Sequence, residues 1–257
     1  MKYNRVFTFG CSWTRYLWPM WADMFRYTDQ APLVYNWGKP GIGNVGIFYR
    51  MIECDLKNKF TDSDLIIVQW SSWTREDRYM DKWETYGNVF NSPFYDKAFT
   101  KKYWSWNNDV IKNSSCIIAA NKMFNIDYQF NMTPFAKNED EDTFSPELGK
   151  LNKSWHATYT NALPTIDTFP NHLNTYFNGI TQDPHPDIKL GLLFFNEYIK
   201  DKFEFTLEKH ESNILAVYDA ISSRSDMPAS RDGIQKLMIN EMQKVGLAWS
   251  INKEGWI

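Results

Sequence analysis

The sequence predicts an α/β fold in three layers, α/β/α, around a central and mostly parallel sheet. Strand signals alternate with helix signals through the first half of the chain, which is the order that a parallel sheet requires. Residues 65–68 form a continuous apolar run, typical of a strand covered by helices on both faces. The chain has 257 residues, enough to bury a substantial core.

The first half of the chain supplies most of the predicted sheet. Residues 5–9 and 33–36 are predicted strands, and Pro19 suits the first turn of a helix between them. A glycine-rich turn at 38–44 leads into a helix over 45–56, because apolar residues recur there every three or four positions.

Weaker signals follow the strand at 65–68. Residues 71–78 are predicted as a polar loop that starts a helix, because Thr74 and Asp77 have the spacing of a capping box. The remaining predictions are an irregular segment at 79–100, a helix at 103–124, a fourth strand at 126–132, and helices after Pro186, at 207–222 and at 230–246.

The predicted organisation is one α/β domain over 1–205 and a C-terminal helical extension over 206–257. Periodicity is lost between 133 and 181, and loops of this length are uncommon in compact domains unless they form a lid or a binding surface. A lid and a surface insertion without a role are equally favoured there. The C-terminal helices could pack on the domain, dock a protein partner or support self-association.

Composition excludes several classes of function. The net charge is -3 and there is no basic tract, so no nucleic-acid partner is expected. No apolar stretch approaches the length of a membrane span and no signal peptide is visible, so we expect a cytoplasmic or virion-associated protein. The three cysteines lack metal-type spacing, and no metal or other cofactor is expected.

Ser12 is the strongest candidate for chemistry. It follows the strand at 5–9 through the abrupt turn Gly10-Cys11-Ser12, and α/β proteins gather their reactive groups at the carboxyl ends of strands. Far downstream, Asp183 and His185 form a compact acid and imidazole pair. Such a pair can turn a serine hydroxyl into a nucleophile.

Residues 7–14, Phe-Thr-Phe-Gly-Cys-Ser-Trp-Thr, resemble the first block of the SGNH, or GDSL-like, hydrolase family, in variants common among its phage-encoded members. The glycine turn, the Ser71-Ser72 loop and His185 follow in the family's order. The resemblance covers roughly residues 4–200, and it implies the SGNH-hydrolase, flavodoxin-like arrangement of the sheet.

The resemblance also implies roles for individual residues. Ser12 would be the nucleophile and His185 the base, with Asp183 orienting the imidazole. The N–H groups of Ser12 and Gly41 would hold the oxyanion, together with Ser72. The chain departs from the family where Ser72 stands in place of an asparagine, and where Asp183 stands two residues before His185 rather than three.

Four further residues near these blocks are considered. Asn44, Trp13 and Arg75 are assigned to substrate binding, although Arg75 also suits a solvated helix start with internal ion pairs. Cys11 is a nucleophile in principle. A residue directly before the serine should point away from the site, which favours core packing for Cys11.

The function predicted from these residues is a serine esterase that works through an acyl-enzyme. The family resemblance suggests O-acetyl groups on carbohydrate, and the aromatic residues, 17% of the chain, could stack on sugar rings. The alternative is a binding or structural module that kept the fold and lost the chemistry, such as a virion or glycan-recognition component. The expected ligand is thus a small-molecule or glycan ester.

Overall fold

The computed structural model describes residues 2–81, 83–90, 95–131, 166–168 and 185–249. Its main sheet has five strands in the order β2-β1-β3-β6-β7, and every neighbouring pair is parallel. Helices cover both faces, so the predicted α/β/α fold with a parallel central sheet is confirmed. The strands are β1 (Arg5–Phe9), β2 (Leu33–Asn36), β3 (Asp64–Trp70), β6 (Tyr128–Asn131) and β7 (Asp167–Thr168).

Strand β3 lies at the centre of the sheet, and all seven of its residues are buried. Because side chains alternate along a strand, Leu65 and Ile67 enter one hydrophobic cluster while Ile66 and Val68 enter the other. A central strand with two covered faces therefore requires an unbroken apolar run, and the sequence supplies one.

The hydrophobic cluster that contains Ile66 and Val68 holds α1 (Asn44–Asn58) and α3 (Trp106–Met123) against one face of the sheet. The helices of this layer contribute Ile47, Met51 and Cys54 from α1, and Ile117 and Ala120 from α3. Both helices lie close to their predicted positions. The short helix α2 (Lys97–Tyr103) precedes α3.

The opposite face is covered by the 3-10 helix Trp21–Tyr27 and by the C-terminal helices. Helix α4 (Ile188–Phe194) continues through the π-helical turn Phe195–Lys200 and the short turn Asp201–Phe203. It is followed by α5 (Glu211–Ser222) and α6 (Arg231–Lys244). Apolar residues of α5 and α6 share one cluster with Val6 and Phe25, so these helices pack on the domain.

The predicted helix start at 71–78 is wrong. Residues Arg75–Tyr79 form strand β4, which pairs antiparallel with β5 (Trp83–Asn88) in a separate two-stranded sheet. Neither strand has an alternating apolar pattern in its sequence, and the hairpin contacts the turn before α1 through Asp77 and Arg75. Strand β5 also gives structure to part of the segment predicted as irregular.

Most of the segment 133–181, predicted as an insertion or lid, lies outside the described residues. The part that is described includes β7, which extends the sheet beyond β6. Within the described residues, no helix is long and apolar enough to cross a membrane.

Candidate functional site

The parallel sheet brings three loops to one edge. Ser12 follows β1, Gly41 follows β2 and Ser72 follows β3, and these strands are neighbours in the sheet. Since the carboxyl ends of parallel strands meet at the same edge, the loops form the bottom of one site. This placement depends only on strand order and direction.

The turn that carries Ser12 is tight. The carbonyl oxygen of Cys11 accepts hydrogen bonds from the N–H groups of Thr14 at 3.0 Å and Arg15 at 3.1 Å. Ser12 is only 3% exposed, yet neither its N–H nor its hydroxyl makes a hydrogen bond to another described residue. The hydroxyl and the N–H of Ser12 are therefore not committed to the framework of the turn.

Gly10 permits the turn. Its φ is +156°, and a Cβ at this position would lie 2.0 Å from the Thr14 hydroxyl oxygen and 2.9 Å from Gln69 Cβ. The Thr14 hydroxyl donates in turn to the side-chain oxygen of Gln69 on β3. The turn after β1 is therefore pressed directly against the end of β3, which only glycine allows.

The turn after β2 packs against the turn after β1. The Lys39 N–H donates to the Gly10 carbonyl at 2.9 Å, and Asn36 Nδ2 donates to the Thr14 carbonyl at 2.9 Å. Gly41 has a φ of +79°, and a Cβ there would lie 3.1 Å from the Thr85 carbonyl oxygen. Both the left-handed backbone and the close approach require glycine.

The orientation of the Gly41 N–H follows from peptide geometry. The Pro40 carbonyl accepts a hydrogen bond from the Thr85 hydroxyl at 3.1 Å, so it points toward the hairpin. The bond between Pro40 and Gly41 is trans, and a trans peptide directs its N–H opposite to its carbonyl. The Gly41 N–H therefore points away from the hairpin, and it has no acceptor among the described residues.

The β4–β5 hairpin makes further contacts with the glycine turn. The Asp77 carboxylate accepts the Gly43 N–H at 2.9 and 3.0 Å and the Gly46 N–H at 2.8 Å. Burial raises the pKa of Asp77 above its usual value, although the hydrogen bonds from Gly43 and Gly46 act in the opposite direction. Arg75 Nη1 donates to the Ile42 carbonyl at 3.1 Å, so Arg75, predicted to bind substrate, contacts the protein's own backbone.

Asn44, predicted to bind substrate, makes hydrogen bonds inside the framework. Its Nδ2 donates to the Ser71 carbonyl at 3.1 Å and to Asn113 Oδ1 at 2.8 Å, and its Oδ1 accepts the Ser71 N–H at 2.7 Å. Both donors of this fully buried carboxamide are thus committed inside the protein. They fix the end of β3 against α1 and α3.

Ser72 is half-buried, and its hydroxyl oxygen lies 3.1 Å from the hydroxyl oxygen of Thr74. Trp13 is also half-buried and packs against both hydrophobic clusters. Cys11 is completely buried in the cluster beside α1, the packing position expected of it.

His185 approaches the turn that carries Ser12 through aromatic contacts. Its ring stacks on Tyr16, with ring centroids 3.9 Å apart and an interplanar angle of 16°. The next residue, Pro186, accepts a hydrogen bond from Trp18 Nε1 at 2.6 Å. Tyr16 and Trp18 follow Ser12 by four and six residues, so the predicted base and nucleophile belong to one assembly.

The helix after His185 is fixed at its start. Asp187 caps α4 by accepting the Leu190 N–H at 2.8 Å, and burial raises the pKa of this carboxyl. Gly191 allows a close approach, since a Cβ there would lie 2.9 Å from the Trp21 backbone nitrogen. Helix α4 therefore packs directly on the 3-10 helix that follows the turn of Ser12.

Ser12 makes no hydrogen bond to His185 or to any other described residue. Asp183, the predicted partner of His185, lies outside the described residues. Within the described residues, no three His, Cys, Asp or Glu side chains cluster as ligands of a metal ion would.

Comparisons with known proteins give structural likenesses only. No family model matches the chain, and no curated protein matches it. Among solved structures, it is similar to a catalytic mutant of an acetylxylan esterase from Geobacillus stearothermophilus, with 13% identity and a TM-score of 0.42. The match covers 79% of this chain and 97% of that chain. A likeness of this degree assigns no activity, so the function has to be argued from the residues of this chain.

Sequence reasoning missed two residues of the site. Tyr16 lies in an aromatic run, and nothing in the sequence links that run to His185. The sequence pattern places Asp77 at the start of a helix that follows residue 74. In the structure it caps α1 instead, through a hydrogen bond from Gly46, 31 residues earlier in the chain. The sequence signal for this contact is the group of glycines at 41, 43 and 46, because residues without side chains allow the hairpin to lie against the glycine turn.

Proposed function

We propose that this protein is a serine esterase with Ser12 as its nucleophile and His185 as its general base. The observation that carries the proposal is the set of polar groups left without a partner at the sheet edge. Ser12 Oγ, the Ser12 N–H and the Gly41 N–H have no hydrogen-bond partner among the described residues, whereas the surrounding turns are extensively hydrogen bonded. An acyl-transfer site needs this combination of a free hydroxyl and free, rigid N–H donors.

The reaction proceeds in two halves. Ser12 Oγ attacks the ester carbonyl carbon while the His185 imidazole takes the hydroxyl proton. The negative charge on the carbonyl oxygen is held by the N–H groups of Ser12 and Gly41, with the Ser72 hydroxyl as a third donor. Collapse of this intermediate breaks the ester C–O bond, and the departing alcohol receives the proton from His185.

Water completes the cycle. His185 takes a proton from the water molecule, whose oxygen attacks the acyl carbon bound to Ser12. The second intermediate expels Ser12 Oγ, which recovers a proton from His185, and the carboxylic acid leaves. Asp183 has the role of holding the imidazole in the tautomer whose free nitrogen faces Ser12.

The acyl group proposed is acetyl. The family resemblance supports this choice, since it implies O-acetyl esters as substrates. The alcohol proposed is a carbohydrate, on the basis of the family resemblance and the high aromatic content of the chain.

A binding module is the second candidate. Two observations favour it: no hydrogen bond joins Ser12 to His185, and Ser72 offers a shorter donor than the asparagine of the family. Such contacts are often long before substrate binds and tighten in the complex, so a functional test must separate the two candidates.

The test is turnover of p-nitrophenyl acetate by the wild type, Ser12→Ala and His185→Ala. The esterase predicts that both substitutions lower kcat by roughly a thousandfold or more, as removal of a nucleophile or its base does in serine hydrolases. Thr61→Ala, a hydroxyl at the opposite edge of the sheet, serves as the control and should keep full activity. Equal rates for the wild type and Ser12→Ala would favour the binding module.

A further inference from the structure

The β4–β5 hairpin contacts the backbone of the glycine turn at several successive residues. The carbonyls of Pro40, Gly41 and Ile42 accept hydrogen bonds from Thr85 Oγ1, Gly87 N–H and Arg75 Nη1, at 3.1, 3.2 and 3.1 Å. Every carbonyl across this stretch is therefore fixed by the hairpin. None of the three contacts uses the Gly41 N–H.

The other end of the turn is held by Asp77. Helix α1 begins after Gly43, which has no side chain to cap the first turn. Asp77 supplies the missing cap from the hairpin by accepting the N–H groups of Gly43 and Gly46. A carboxylate at a helix N-terminus also interacts favourably with the helix dipole.

The glycines at 41, 43 and 46 allow the hairpin to lie this close. A Cβ at Gly43 would be 2.9 Å from Asp77 Oδ2, and one at Gly46 would be 3.0 Å from Asp77 Cγ. The surfaces therefore meet without space for a side chain. Such a contact leaves the turn little freedom to move independently of the hairpin.

We propose that Asp77 is a positioning residue for the reaction, and that through it the hairpin holds the Gly41 N–H in the orientation that an oxyanion requires. The inference rests on the proposed function. It assigns a role to the β4–β5 hairpin, which contains none of the proposed catalytic groups. Because Asp77 binds the backbone on the C-terminal side of Gly41 and Thr85 binds it on the N-terminal side, the peptide between them is fixed from both directions.

The first arm of the test is kinetic. In Asp77→Asn one carboxylate oxygen becomes an NH2 group, which faces the N–H donors of the turn and cannot accept from them. A misplaced oxyanion donor weakens the transition state more than the bound ester, so kcat should fall roughly tenfold to a hundredfold while KM stays nearly constant. Thr85→Val, which removes the hydrogen bond to Pro40, should act in the same direction.

Glu76→Gln is the matched control. Glu76 neighbours Asp77 on β4, but its carboxylate pairs with Lys112 of α3 at 2.6 Å rather than with the glycine turn. If the hairpin served stability alone, Glu76→Gln and Asp77→Asn would lower the melting temperature and the activity together. The positioning role predicts that only Asp77→Asn lowers kcat.

The second arm does not need activity. In nitrogen-15 correlation spectra, the Gly41 amide resonance should shift in Asp77→Asn and Thr85→Val and stay in place in Glu76→Gln. If the Gly41 resonance does not move in Asp77→Asn, the inference is overturned. If the wild type is active, the inference is also overturned when the kcat of Asp77→Asn lies within twofold of that of Glu76→Gln. If the wild type lacks esterase activity altogether, the proposed function fails, and the resonance alone decides whether Asp77 positions the turn.

Discussion

The imidazole of His185 stacks face to face on the phenol ring of Tyr16, with centroids 3.9 Å apart. Tyr16 also packs edge-on against Trp18, whose indole N–H holds Pro186. The position of the predicted base is thus set by aromatic rings that belong to the same loop as Ser12. A shift of Ser12 and a shift of His185 are therefore coupled.

Loss of this ring should impair catalysis without unfolding the protein. Tyr16→Leu removes the flat surface beneath His185, and displacement of a catalytic group by about 1 Å can cost roughly a hundredfold in rate. We expect a fall of that order in kcat for p-nitrophenyl acetate, with Tyr16→Phe close to the wild type because it keeps the ring. Equal kcat values for Tyr16→Leu and Tyr16→Phe would show that the stacking does not position the base.

Ser72 offers a substitution expected to raise activity. Its hydroxyl is a shorter donor than the carboxamide found at the matching position of the family that the sequence resembles. Ser72→Asn should raise kcat by about threefold to tenfold, and Ser72→Ala should lower it, because each oxyanion donor contributes directly to the transition state. Ser71→Ala is the control, since the buried Ser71 hydroxyl has no hydrogen-bond partner among the described residues. A Ser72→Ala enzyme as fast as the wild type would remove Ser72 from the oxyanion site.

The sequence predicts the framework well because the framework depends on local patterns. The strand Leu33–Asn36 has its predicted bounds, and the apolar run at 65–68 lies inside β3. Strand β4 could not be predicted, since its residues are mostly charged and it is stabilised by the glycine turn, more than 30 residues earlier. The hydrogen bonds of Asn44 could not be predicted for a similar reason, because its partners Ser71 and Asn113 are distant in sequence.

The site is predictable only in part. Ser12, Gly41 and Ser72 follow adjacent parallel strands, so their common edge could be expected from the order of elements. The stacking of His185 on Tyr16 joins segments 169 residues apart, and no periodicity or motif encodes that contact.

Gly10 should be far less tolerant of a methyl group than Gly87. In Gly10→Ala the new Cβ would lie 2.0 Å from Thr14 Oγ1, which must break its hydrogen bond to Gln69. We expect a loss of about 2 to 3 kcal/mol in the free energy of unfolding, together with lower activity. Gly87→Ala, where φ is +71° and no atom lies within 4 Å, should cost only about 1 kcal/mol of backbone strain. Urea unfolding of both variants tests this, and equal losses would contradict the steric argument.

The ion pair at the amino edge of the sheet should give a pH-dependent contribution to stability. Arg5 binds Asp64 through Nε and Nη2 at 2.7 and 2.6 Å. Burial alone would raise the pKa of Asp64, but hydrogen bonds from Arg5 and Thr61 outweigh it and lower the pKa below its usual value. The stabilisation is therefore complete above the unfolded pKa, about 4, and is lost as the pH falls through the lower folded value.

Asp64→Asn tests this contribution. We expect it to lower the free energy of unfolding by about 2 kcal/mol at pH 7, and the difference from the wild type should shrink below about pH 4. Urea unfolding at pH 7, 5 and 3 measures the difference, with Asp62→Asn, an exposed neighbour, as the control. A difference that stays constant over this range would mean that charge on Asp64 does not stabilise the fold.

The identity of the nucleophile is the central claim, and covalent labelling tests it most directly. The protein is treated with a fluorophosphonate, digested, and examined by mass spectrometry for the residue that carries the phosphonate. If His185 takes the proton of Ser12, we expect one adduct per chain in the wild type, located on Ser12. We expect no adduct in His185→Ala. A wild-type protein with no adduct, or with the adduct on another residue, would contradict the assignment.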